Sequence, residues 1–243
     1  MSVILFFFLA PIASFGAMWL FPRVSLGIIL RVAVIIQFIS SFFRLITFAN
    51  GECWPIVVGN IGLASTGPIF ALSSTIFTTS WFPEKERTLA TALISIPGFI
   101  GAGLSFGMSQ YYLNTDYETI DEVMWNIMLF QNIMYSVVFV IFMALFRSKP
   151  EHPPTPAAEA PVFVVNFLEG FKLMWSNKNF GLLSFIFAFK QATLNSYGMM
   201  LADIMSPYGH EPVHLAFLGI CFLIGGLLGA TIFTILADKT KKF

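Results

Sequence analysis

"TTSWFPEKERTLATAL", residues 78–93, places Glu84, Lys85, Glu86 and Arg87 in one run between two long apolar stretches. So dense a group of charges needs a reason, because the 243-residue chain is 57% hydrophobic and only 11% charged. Its mean hydropathy is +0.80, and it holds 29 phenylalanines and 11 methionines. A soluble domain carries about 25% charged residues; this chain has too few to cover a surface facing water. Lipid is therefore the expected solvent for most of it. The charged run then reads as a short break between two membrane helices.

Outward from that break, seven apolar segments reach the roughly 20 residues that a bilayer core requires. They are 1–21, 25–48, 54–80, 88–112, 124–146, 180–206 and 214–236. The first, "MSVILFFFLAPIASFGAMWLF", lacks a basic start and its apolar stretch is as long as a span. It reads as a membrane helix rather than a cleavable signal.

The connections alternate in charge. One set carries ten basic residues: Arg23, Lys85, Arg87, Arg147, Lys149, Lys172, Lys178, Lys239, Lys241 and Lys242. The other set, near 49–54, 112–123 and 206–214, has no lysine or arginine and is acidic instead. The positive-inside rule puts the basic connections and the C-terminus in the cytosol, with Met1 outside. "WFPEKER" is then a cytosolic turn. Trp81 and Phe82 are expected at headgroup level, Pro83 in the first turn of the next helix, and Glu84 and Glu86 near that helix's positive end.

Residues 1–146 form a five-span bundle on this reading, 147–179 a cytosolic linker, and 180–243 a two-span segment. The linker opens with "RSKPEHPPTPAAEAP", where four prolines fall between Pro153 and Pro161; that composition makes a semi-rigid spacer. "VFVVNFLEGFKLMWSNKNF" follows, an amphipathic run expected to lie along the cytosolic face. Two cysteines, Cys53 and Cys221, match no metal spacing, and no carboxylate or cysteine set converges in sequence around His152, His210 or His214.

Polar residues at membrane depth are the candidate site. Lys190 lies about 15 Å into its span at 1.5 Å per residue, and an intramembrane lysine normally faces a cavity or a partner. Lys190, Thr193 and Tyr197 share one helix face, while Gln191 and Asn195 share another. Two readings stand: interhelical hydrogen bonding, or a substrate pathway that also includes Asn60. Arg31 and Arg44 are nearer span ends and are expected to snorkel. In the fourth span Pro97 is followed by a glycine cluster, and Gly103–Gly107 and Gly225–Gly229 each have GxxxG spacing, which permits close helix approach.

Trp81-Phe82, Glu86-Arg87, Ala90 and Ala92 together resemble the turn between the fourth and fifth helices of major facilitator transporters. More narrowly they resemble the feline leukaemia virus subgroup C receptor-related family. At the other end "ILADKTKKF", 235–243, is similar to the facilitator loop motif, in which an acid pairs with basic groups to stabilise one access state. The resemblance implies an all-α integral membrane fold, a major-facilitator-type bundle. The seven spans would correspond to helices two to eight of twelve, so the chain is expected to be a fragment. It implies a gate built from Asp238, Lys239, Lys241, Lys242 and Arg87. Members of that family enclose choline-like cations between aromatic side chains; haem-like anions are the second substrate class implied. Phe99 falls where they carry a glutamine, Tyr197 retains a seventh-helix aromatic, and their first-helix tryptophan has no counterpart. The turn after the first span, "FPRVSLG", lacks the acid that the motif would place there.

The function expected is secondary transport of a small organic solute by alternating access. A seven-helix receptor is the alternative; against it, "TTSWFPEKER" has no acid–arginine–aromatic triplet and the last span no Asn-Pro-x-x-Tyr. An enzyme is not expected, since no acid–histidine or metal cluster occurs at one depth. The expected partners are a small-molecule substrate and the lipid bilayer, with no nucleic acid, cofactor or metal. The expected location is the plasma membrane, with an organelle membrane as the alternative.

Overall fold

The computed structural model describes residues 2–83, 120–147 and 167–208 throughout, with scattered residues between 86 and 105 and between 214 and 232. Six helices carry the described chain: α1 (Ser2–Leu20), α2 (Leu26–Asn50), α3 (Trp54–Trp81), α4 (Ile120–Leu145), α5 (Phe167–Ser176) and α6 (Lys178–Met205). A single 3-10 turn, Ser206–Tyr208, closes α6. Among the described residues there is no strand.

Local chemistry sets the ends. Gly51 follows α2 with φ 68, and its N–H returns to the Thr47 carbonyl; glycine takes this left-handed conformation without the Cβ penalty. Pro55 opens α3, where a missing N–H costs no helical bond. Arg23 closes α1: its Nη1 donates to the Trp19 carbonyl at 2.6 Å, and its guanidinium stands 4.1 Å from the centre of the Trp19 ring. A cation is favoured at a helix C-terminus.

The chain forms two compact units. The first holds Met1–Ala92 with Tyr117–Phe167; in it α3 packs on α1 and α2, and α4 packs on α2. Small residues are buried here: Gly59, Ala64, Thr66, Ser73 and Thr78 in α3 after Pro55, with Ala17 of α1 and Ala33 and Val34 of α2 also buried. Small side chains let backbones approach, and that is how helices associate where lipid removes the hydrophobic drive. Large apolar residues point the other way; Val138, Val140 and Leu145 of α4 are 55%, 62% and 75% exposed, as a face toward acyl chains requires. The second unit holds Leu93–Asp116 with Leu168–Phe243 and so contains α6.

Among the described residues, three helices are long and apolar enough to cross a membrane: Leu26–Thr47, Trp54–Trp81 and Asp121–Leu145. They coincide with three of the seven segments expected. Phe8–Leu20, Leu89–Gly98 and Phe217–Gly226 are shorter apolar helices inside three more. α6 has 28 residues, about 42 Å at 1.5 Å per residue, but Lys190, Gln191 and Asn195 interrupt its apolar surface.

At the opening motif, α3 continues to Trp81 and the Phe82 N–H bonds the Thr78 carbonyl. The Glu86 N–H bonds the Pro83 carbonyl at 3.0 Å, and helical backbone resumes at Arg87. Glu84 and Lys85 lie outside the described residues. Trp81 ends α3. Its half-buried ring stacks on Phe77 at 5.3 Å, its indole N–H is buried with no partner among the described residues, and Phe146 stands 6.3 Å from Phe77 in the same aromatic cluster.

Candidate functional site

In α6 the polar residues separate by face. Gln191 and Asn195, one turn apart, are half-buried, whereas Lys190 and Thr193 are exposed within their unit. Thr193 donates to the Phe189 carbonyl at 3.0 Å, so its hydroxyl is satisfied by its own helix. The Lys190 Nζ stands 5.9 Å from the centre of the Phe187 ring, within reach of a weak cation–π attraction. Tyr197 is helical, one face with Lys190 by register. Asn60 belongs to the other unit, half-buried in α3. Phe99, Asp238, Lys239, Lys241 and Lys242 lie outside the described residues.

Arg87 has a local occupation. Its Nη2 donates to the Thr79 carbonyl at 3.2 Å and its Nε to the Phe82 carbonyl at 3.3 Å. These are carbonyls at the end of α3 that lack helical partners. Thr91 strengthens the same corner by donating to the Arg87 carbonyl at 2.8 Å and standing 3.2 Å from the Thr78 hydroxyl.

A second polar constellation lies between α2 and α4. Arg44 does not snorkel as expected: its Nη1 donates to Gln131 Oε1 at 3.0 Å. The reason is a notch in α3. A Cβ at Gly59 would stand 2.5 Å from the Arg44 Cγ and 2.7 Å from the Ser40 carbonyl, so only glycine leaves room for the arginine stem. One turn away Ser41 Oγ lies 2.8 Å from Asn132 Oδ1 and 2.7 Å from the Phe38 carbonyl. The hydroxyl has one proton; given to Phe38, it leaves the oxygen to accept from an Asn132 amide turned to present its NH2. The Arg44 Nε and the Thr47 Oγ1 are buried without a partner among the described residues. Sequence reasoning passed over this constellation. Its one signal was Gln131-Asn132, adjacent amides in the middle of an apolar span.

No family model matches the chain. Individual proteins do. An uncharacterised Caenorhabditis elegans protein, B0416.5, is 24% identical over 90% of this chain and 40% of its own length. The choline/ethanolamine transporter flvcr2a of Danio rerio is 24% identical over 94% of this chain and 50% of its own. The solute carrier family 49 member 4 homolog of Xenopus laevis is 22% identical over 86% and 48%. These relatives support the resemblance to the feline leukaemia virus subgroup C receptor-related family of the major facilitator superfamily. It spans about half the length of the curated relatives it matches.

In α6 the exposed side carries Lys190 and the half-buried side carries two amides. In the α2–α4 constellation Arg44 and Gln131 tie together two helices of one bundle unit, which makes it a packing device of that unit.

Proposed function

We propose that the chain works in a secondary transporter of a small organic solute, moving it by alternating access in the plasma membrane. The observation that carries this reading is Lys190, a lysine about 18 Å along α6 from Lys178 at 1.5 Å per residue, exposed within its unit beside Gln191 and Asn195. A cation at such depth is costly in lipid and normally serves a cavity or a pathway. Tyr197 shares the Lys190 face by register, and Phe99 and Asn60 are further pathway candidates on the sequence reading. The gate candidates are Asp238, Lys239, Lys241, Lys242 and Arg87, supported by the resemblance of their two stretches to facilitator loop motifs.

Relatives bearing the choline/ethanolamine name support an amine-bearing solute; Lys190 disfavours a bare cation. At 4 Å and an effective dielectric near 20, the repulsion is about 4 kcal/mol before desolvation. The substrate class proposed is therefore one whose cationic group is accompanied by an anionic one, or an anion. The test is uptake by the intact protein in proteoliposomes. Lys190→Gln should weaken uptake of a zwitterionic or anionic solute and relax discrimination against quaternary ammonium compounds. Efficient choline uptake, identical before and after Lys190→Gln, would place the lysine outside the pathway and leave it as helix-packing polarity.

A further inference from the structure

The short helix α5 lies next to α6 in sequence and is held to it by a built elbow. Asn177 is the only residue between them; its Oδ1 accepts from the N–H groups of Asn179 at 3.1 Å and Phe180 at 3.4 Å. That is an N-cap, which satisfies the first donors of α6. The edge of the Trp175 ring lies 3.9 Å from where a Cβ on Gly181 would stand, so the ring rests over the first turn of α6. Elbow and ring together fix the direction in which α5 leaves.

The side chains of α5 divide by face, with Leu173, 71% exposed, the large apolar residue that falls outside the apolar arc. At 100° per residue Phe171, Met174 and Trp175 occupy an arc of about 100°, and Leu173 points to the opposite side. Phe171, Met174 and Trp175 are 44%, 40% and 60% exposed, a concentration of large apolar surface that water does not favour. Phe171 and Trp175 lie against each other with centroids 6.0 Å apart. Lys172 flanks this arc and Lys178 follows the elbow. A ring-rich apolar face with lysines at its border is the pattern of a helix lying in the lipid interface, and tryptophan favours that depth.

We infer that α5 docks on anionic phospholipid of the cytosolic leaflet, with Phe171, Met174 and Trp175 entering the acyl boundary while Lys172 and Lys178 meet phosphate and carboxylate headgroups. Charge complementarity selects this occupant. The cytosolic leaflet carries the membrane's anionic lipids, and each basic residue at its surface strengthens binding about fivefold. The inference depends on the chain being an integral membrane protein, and not on the substrate pathway.

The experiment uses the intact protein with Cys53 and Cys221 replaced by serine. A single cysteine bearing a polarity-sensitive fluorophore is placed by F171C, W175C or L173C. Each protein is reconstituted in phosphatidylcholine vesicles, with and without phosphatidylserine. Labels at 171 and 175 should emit at shorter wavelength and be quenched by brominated lipid, more strongly with phosphatidylserine. The label at 173 should stay open to iodide. K172Q with K178Q should lower the docked-to-free ratio about 25-fold in phosphatidylserine vesicles, following the fivefold effect per lysine. The same pair should change little in phosphatidylcholine alone. Equal emission at all three positions would overturn the docking. Docking at 171 and 175 that ignores phosphatidylserine would overturn the headgroup assignment.

Discussion

Three glycines of α3 differ in what a methyl group would meet, and together they test whether small-residue packing holds the first unit together. At Gly59 a Cβ would come within 2.5 Å of the Arg44 Cγ and 2.7 Å of the Ser40 carbonyl, a backbone atom that cannot rotate away. At Gly62 it would collide with the Ser40 hydroxyl, which can rotate, and would still stand 3.1 Å from the Ser40 Cβ. At Gly67 nothing lies within 4 Å. Overpacking costs about 1–3 kcal/mol, and alanine recovers about 1 kcal/mol over glycine inside a helix. Gly59→Ala should therefore lose about 2 kcal/mol, whereas Gly67→Ala should change little, because the helix-propensity gain is offset by the strain of a Cβ placed before Pro68 in helical backbone, with Gly62→Ala between them. At about 2–4 °C per kcal/mol for a protein of this size, the extremes should differ by about 4–8 °C in unfolding midpoint. The measurement is the fraction of monodisperse protein remaining in detergent after a temperature series. A Gly59→Ala protein as heat-resistant as Gly67→Ala would refute close α2–α3 approach at this point.

Gln131→Leu should cost about 1.5–3 kcal/mol, the range for a hydrogen bond to a charged group. Adding Arg44→Met should recover part of that loss in a double-mutant cycle, because a stranded charge is worse than an absent one. Arg87→Ala should cost about 1 kcal/mol by uncovering the last carbonyls of α3; if uptake per folded molecule also falls, the arginine serves the proposed gate as well. Cysteines at Ala158 and Asn114 should react differently with an impermeant thiol reagent on intact cells. Asn114 should label from outside and Ala158 only after permeabilisation, and the reverse pattern would invert the topology read from the charges.

Fold class and family were legible because both rest on signals that survive without tertiary information. Long apolar segments fix the solvent, and "WFPEKER" and "ILADKTKKF" are local motifs. The packing constellation was not legible. Arg44 and Gln131 are 87 residues apart, and neither the charge nor the amide says which way it points. A glycine on a third helix decides it. Arg44, six residues from the end of α2, could have reached the interface; the notch at Gly59 turned it inward. Within α6 the sequence did separate Lys190 and Thr193 from Gln191 and Asn195, because register alone assigns faces on a regular helix.

The hydroxyls of α3 are bonded differently from those between α2 and α4. Ser65, Thr66, Ser73, Ser74, Thr78, Thr79 and Ser80 all donate to carbonyls three or four residues earlier in their own helix. Such back-bonding softens a helix toward bending, and Pro68 inside α3 adds a second point of compliance. These hydroxyls keep their acceptors when the helix slides or turns, and the polar ties of α3 described above gather at its end, at Thr78–Thr91 and Arg87–Thr79. α2 and α4, by contrast, are riveted by Arg44–Gln131 and Ser41–Asn132. Mechanically, the unit has a stiff frame and a greased shaft: displacement along α3 meets van der Waals friction, while parting the frame means rupturing polar bonds in oil.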